Sequence, residues 1–198
     1  GQVKQADSSG GKLTKEYDLE ATSEHNGTFV QFTPDEDIFG KYTFHEEFIE
    51  TMLRNYTYLN TGLSIYYNGH RIVSRNGLED LLNDNMTSPG LYSIVHLKGE
   101  DIEIAFTHSP QYGEEYYSFV NGQNTTQGGT HLAVFREAIV KTIREFYNKP
   151  FDTRDVQTSI VGAISIKIEE PVFESQTKTR LGSQNMAPEG TSIRAFVI

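Results

Sequence analysis

Between His131 and Tyr147 the apolar residues Leu132, Phe135, Ile139, Ile143 and Phe146 recur at helical spacing. Shortly afterwards, from Ile160 to Ile168, Ile164, Ile166 and Ile168 alternate with Ser165 and Lys167. The first period places an apolar stripe along one side of a helix, and the second places one on a strand face. Neither stripe is stable in water, so a long amphipathic helix close to so apolar a strand demands a layer of helix on sheet. A chain of 198 residues has room for one such domain, or one domain and part of a neighbour, and buries a core without staples.

The remaining patterns extend this layer. Gln2–Ala6 and Lys12–Tyr17 read as short strands around the turn Ser8-Ser9-Gly10-Gly11, and Thr28–Phe32 as a β-rich segment stopped by Pro34. Phe44, Phe48, Met52 and Tyr56 fall at four-residue intervals, widened by Ile49, Leu53 and Leu59. The spacing predicts a helix over about Thr43–Leu59 whose apolar face packs on a sheet. Asn68-Gly69 predicts a hairpin. A short helix at Leu78–Leu82 and a strand at Leu91–Leu97 follow. Ile102, Ile104 and Phe106 alternate with Asp101, Glu103 and Ala105, which predicts a strand with one wet face. Glu115–Asn121 is an aromatic-rich strand, Thr130 a candidate N-cap, and Thr153–Thr158 a short helix. Strands grouped as hairpins with helices between the groups give an α+β class, a mostly antiparallel sheet with helices on one face. Strand character already at Gln2, and an unfinished helix over Thr191–Ile198, make both ends read as cut, as expected of a piece of a longer protein.

Composition removes several functions. Lys plus Arg is 17 against 27 Asp plus Glu, a net charge of −10, which argues against a free-standing nucleic-acid binder working by phosphate neutralisation, local basic patches excepted. The chain has no cysteine, hence no disulfide, thiolate metal site or cysteine nucleophile. No run nears the roughly 18 apolar residues of a membrane helix. No membrane partner is expected, and the cytoplasm is the expected compartment. None of the six histidines pairs with another at the i, i+4 spacing of a helical metal site, so no metal site is expected.

Two segments stand out. Asn124-Thr125-Thr126-Gln127-Gly128-Gly129-Thr130-His131 joins a strand to the long helix. Its glycines serve either an anion at a helix N-terminus or a tight strand-to-helix connection, and physics alone favours the connection. Glu174–Ser183 (ESQTKTRLGS) follows the apolar strand and Pro171, and is expected as an exposed loop. Gln176, Lys178 and Arg180 alternate there with hydroxyls, a set able to grip a phosphate, although a solvated loop is the plainer reading.

Together, Ser118–Gln123 (SFVNGQ) with NTTQGGTH, and Pro171–Ser183 (PVFESQTKTRLGS), resemble the ATPase subunits of type IIA DNA topoisomerases, the B subunits of gyrase and of topoisomerase IV. Gly27–Asp35 (GTFVQFTPD) resembles the last strand of that family's ATPase domain, and Leu59–Leu63 (LNTGL) its helix-to-strand turn. The resemblance spans nearly the whole chain, with its motifs in the family's order.

The resemblance implies that residues 1–33 close a GHKL-type ATPase domain. It implies that 34–182 form a transducer domain similar to ribosomal protein S5 domain 2, with a left-handed βαβ crossover, and that 183–198 open a connecting helix. It implies that Gln176 and Lys178 reach the ATP γ-phosphate, that Lys178 is the catalytic contact, and that Thr28 lines the adenine pocket. ATP and Mg2+ are the implied cofactors, with the catalytic glutamate, the magnesium-binding asparagine and the glycine-rich lid upstream of Gly1. The implied partners are DNA, a second copy of the same subunit and the DNA-cleaving A-type subunit of a bacterial, ATP-hydrolysing enzyme, the chain alone being inactive. Gly122-Gln123 before Asn124-Thr125, and Arg144-Glu145-Phe146, look more like topoisomerase IV than gyrase. Two alternatives stay open: a DNA-contacting module without an ATP role, and a sister GHKL family such as the mismatch-repair ATPases, against which the QTK and GGTH blocks argue.

Overall fold

The computed structural model describes every residue, Gly1–Ile198, as two compact units, Gly1–Glu46 and Glu47–Ile198. In the first, β1 (Gln2–Val3) pairs antiparallel with β4 (Glu20–Ala21), and β2 (Ala6–Ser9) with β3 (Lys12–Glu16). Gly10 and Gly11 turn the β2–β3 hairpin with positive φ. Asp35 caps the one-turn helix α1 (Glu36–Phe39), accepting from the Asp37 amide at 2.9 Å. The strand expected at Thr28–Phe32 does not form. β-rich composition needs a partner ladder, and this segment has none, leaving Phe29, Val30 and Phe32 exposed.

The second unit carries the core. Helix α2 (Glu46–Leu59) leads to the hairpin β5 (Ile65–Tyr67) and β6 (His70–Ile72), turned by Asn68-Gly69 with both φ positive. Then come α3 (Leu78–Asn85), β7 (Val95–Lys98), β8 (Ile102–His108), β9 (Glu115–Val120), β10 (Gln123–Asn124), α4 (Thr130–Tyr147), α5 (Thr153–Gln157), β11 (Ile160–Ile166) and α6 (Ile193–Val197). Five strands form one sheet in the order β10-β9-β11-β8-β7. Every neighbouring pair is antiparallel except β9 and β11, which run parallel and are joined through α4.

Helices cover both faces of this sheet, not one as expected. Leu78, Leu81 and Leu82 of α3, with Tyr58 of α2, pack on Ala105, Phe119, Val161 and Ala163. Phe135 and Ile139 of α4 pack on Val120, Ile160, Ile164 and Ile166. Successive strand residues point to opposite faces, so these are two cores back to back on the central strand β11, which is buried on both sides.

The same layering overturns the wet face expected of β8. Glu103 is buried under α3. Its Oε1 accepts the Leu78 amide at 2.8 Å, at the positive end of that helix, and lies 3.0 Å from His96 Nε2, while Lys98 Nζ lies 3.5 Å from Oε2. A buried carboxylate needs such partners. Gly77 leaves room for it, because a Cβ there would strike the carboxylate oxygen.

Candidate functional site

The two segments singled out in the sequence lie against each other. The Gln127 amide donates to the Thr179 carbonyl at 2.9 Å, the Leu181 amide to Gly128 O at 3.0 Å, and the Thr130 hydroxyl to Ser183 O at 2.6 Å. Leu181 is buried in the α4-side core. On its other side the loop closes on itself, with Glu174 N–H to Arg180 O at 3.0 Å and Gly182 N–H to Val172 O at 2.8 Å. The segment expected as a solvated loop is thus an anchored excursion whose base is part of the core.

This packing explains the glycine pair. Gly129 has φ +134, and a Cβ there would sit 2.5 Å from Leu181 O and 2.6 Å from its nitrogen. The glycine lets two backbones touch. The first amide of α4, Thr130 N–H, points to Leu181 O at 3.4 Å, so the connection serves to dock the loop base. Gly129, not Thr130, takes the N-cap position.

Gln176 and Lys178 sit together at the tip. The Lys178 amide donates to Ser175 O at 3.0 Å, and the Ser175 and Thr177 hydroxyls lie 2.8 Å apart. Lys178 has φ +56, a conformation lysine seldom adopts, so the turn is held by its own hydrogen bonds. Glu174 is paired to Arg180 at 3.2 Å, and the exposed Lys178 ammonium enters no ion pair. Lys178 also borders a cleft of about 700 Å³ with Tyr56, Asn60, Gln123, Lys167 and Phe173. No carboxylate lines that cleft, in a chain of net charge −10. An anion approaching Lys178 from this side meets the cations Lys167 and Lys178, the amides of Asn60 and Gln123 and neutral side chains, and no opposing charge.

Thr28 belongs to the other unit, exposed in the irregular segment before α1. Two supports of the site escape a reading of the sequence. Asn121 and Gly122, both with positive φ, turn β9 into β10, the same signal as Asn68-Gly69. The Asn121 side chain then pairs twice with the Ile168 backbone at 2.8 Å, extending the parallel ladder beyond β11.

With this geometry, known proteins give a consistent answer. The family model for DNA gyrase B matches residues 46–194. The chain belongs to the DNA gyrase B family. The B subunit of DNA topoisomerase 4 from Borreliella burgdorferi is 44% identical over 174 residues, which is 87% of this chain and 29% of the relative. The DNA gyrase B subunit of Cytophaga aurantiaca is 30% identical over 200 residues, covering 86% of this chain and 42% of the relative. The chain therefore spans less than half the length of either. The 43K ATPase domain of Thermus thermophilus gyrase B, solved with an aminocoumarin, matches with a TM-score of 0.74 at 25% identity, covering 100% of this chain and 58% of that one. No helix of this gyrase B family chain is long and apolar enough to cross a membrane.

Proposed function

We propose that this chain is the transducer region of a type IIA topoisomerase B-type subunit of the topoisomerase IV kind, coupling ATP turnover to the passage of one DNA duplex through another. Residues 1–33 close a GHKL-type ATPase domain, 34–182 are the S5 domain 2-like transducer, and 183–198 open a connecting helix. The partners are DNA, a second copy of the subunit and the A-type cleaving subunit. The higher identity to a topoisomerase 4 relative, 44% against 30% for a gyrase relative, favours topoisomerase IV.

One observation carries the ATP role: an anchored loop base and, at its tip, an unpaired lysine beside a neutral glutamine. An ammonium with no carboxylate partner fits a phosphate oxygen, and Gln176 adds a neutral donor. Lys178 stabilises negative charge as the γ-phosphoryl group passes to water, while Gln176 orients the same phosphate. Lys178 keeps that contact only while the γ-phosphate is present, so hydrolysis releases the loop and with it the transducer. Thr28 contributes to the adenine side. ATP and magnesium supply the leaving group and charge neutralisation, held chiefly by residues outside 1–198.

An ATP analogue bearing an acyl group on its γ-phosphate acylates the amine touching that phosphate. In the full-length subunit Lys178 takes the acyl group and excess ATP suppresses the transfer. Labelling confined to other lysines would overturn the assignment. With the cleaving subunit added, ATP-dependent decatenation without introduction of negative supercoils is expected, and supercoiling would mean gyrase.

A further inference from the structure

His131 is fully buried in the first turn of α4. Its Nε2 lies 3.2 Å from Thr125 Oγ1, and its Nδ1 is buried without a partner. Thr125 is buried too, and its hydroxyl meets Ser118 of β9 twice, at 2.8 Å to the carbonyl and 2.7 Å to Oγ. The tautomer follows. A proton on Nδ1 would strand a buried donor, so the proton sits on Nε2 and is donated to Thr125 Oγ1.

Thr125 and His131 are the two ends of the glycine-containing connection. The groups of this connection that grip the loop base lie between them: the Gln127 amide, the Gly128 carbonyl, the Cβ-less Gly129, and the amide and hydroxyl of Thr130. The Gly128 amide closes the same segment onto Thr125 O at 2.8 Å. Ser118 ties the pair to the sheet. Glycines at 128 and 129 give this backbone wide conformational freedom, and the conformation observed presents its polar groups to residues 179–183.

We propose that His131 is a positioning residue: by donating Nε2–H to Thr125 it clamps the ends of the connection together, fixing the surface on which the Thr179–Ser183 base docks and thereby the place of Gln176 and Lys178. Its bearing on turnover rests on the reading of Lys178 as a phosphate contact.

Amide hydrogen exchange of the 198-residue chain tests the clamp without nucleotide. The readout is the Gln127 and Leu181 amides against those of β8 and β11. His131→Gln, whose side-chain nitrogen reaches about as far as Nε2, keeps the Gln127 and Leu181 amides slow. His131→Leu speeds them at least about tenfold, as expected for a lost hydrogen bond that also strands its buried partner, and leaves the sheet amides unchanged. If His131→Leu does not fold, Thr125→Val, which removes the acceptor and keeps the shape, gives the same readout. Unchanged Gln127 and Leu181 amides in Thr125→Val, or loosening in His131→Gln equal to that in His131→Leu, would overturn the clamp. In the full-length subunit His131→Leu lowers kcat roughly 10- to 100-fold with KM for ATP little changed, the pattern of a displaced group. Loosened amides with normal kcat would uphold the clamp and overturn the reading of Lys178.

Discussion

The base and the tip of the Pro171–Ser183 loop are a few residues apart and obey different rules. At the base, Leu181 is buried, Gly129 is shaped to touch it, and backbone hydrogen bonds run to both sides. At the tip, Gln176 and Lys178 are exposed, and what holds them is a single turn. The base serves stability, and the tip carries the phosphate contact proposed above. A polar group free to meet a phosphate must make few contacts of its own, so its placement has to come from its neighbours. The division predicts that mutations at the base change folding and mutations at the tip change turnover.

Substitution at the base should cost the most. Leu181→Ala removes a buried side chain from the α4-side core and should cost about 2–5 kcal/mol in urea unfolding of the chain. A cost below about 1 kcal/mol would mean the base is merely laid on the surface. Next comes acidification. Burial pushes the His131 imidazole down to about 4 from its ordinary 6.5. The unfolded chain therefore binds this proton below about 6.5 and the folded chain only near 4, so the contribution is full above 6.5 and lost as pH falls from 6.5 to 4. The loss is about 3 kcal/mol, and unfolding curves across that window should show His131→Gln without this slope. A wild-type profile equal to that of His131→Gln would contradict it.

Effects at the tip are smaller in stability and specific in kinetics. Gln176→Ala should lower the full-length subunit's ATP turnover by about tenfold or less, as one neutral hydrogen bond allows. A loss equal to that of removing Lys178 would erase the distinction between the two. Smallest of all, Lys178→Ala should shift the unfolding free energy by no more than about 0.5 kcal/mol. A clear destabilisation would make this lysine part of the fold.

How much is legible in the sequence depends on what each signal reports. Both long helices show in their periods, yet their stripes meet different fates. Phe135 and Ile139 of α4 are buried, whereas Phe48 of α2 is 68% exposed and Met52 49%. Periodicity specifies a helix and its apolar side, and says nothing of what covers it. For the same reason the second helical layer is hidden from a sequence reading: Ser165 and Lys167 make β11 look alternating, while Val161 and Ala163 already face α3. Glu103 looks solvent-facing because no local pattern announces that a helix N-terminus will sit on it. Asn121-Gly122 does carry a turn signal equal to Asn68-Gly69, but its second strand, β10, is too short to show alternation. The motifs themselves are legible as a resemblance. Their mutual docking is not, since hydrogen bonds such as Thr130 to Ser183 join residues far apart in the chain.

In the function proposed, Lys178 acts on the γ-phosphate from a loop whose fold does not depend on it. The most direct measurement is steady-state ATP hydrolysis by full-length Lys178→Ala protein, with DNA and its cleaving partner present. Turnover should fall about 10²–10³-fold with nucleotide binding changed little, the usual loss when one preorganised charge is removed from a developing anion. Decatenation should fall with it. Turnover near wild type would contradict the claim and leave the tip as ordinary solvated surface.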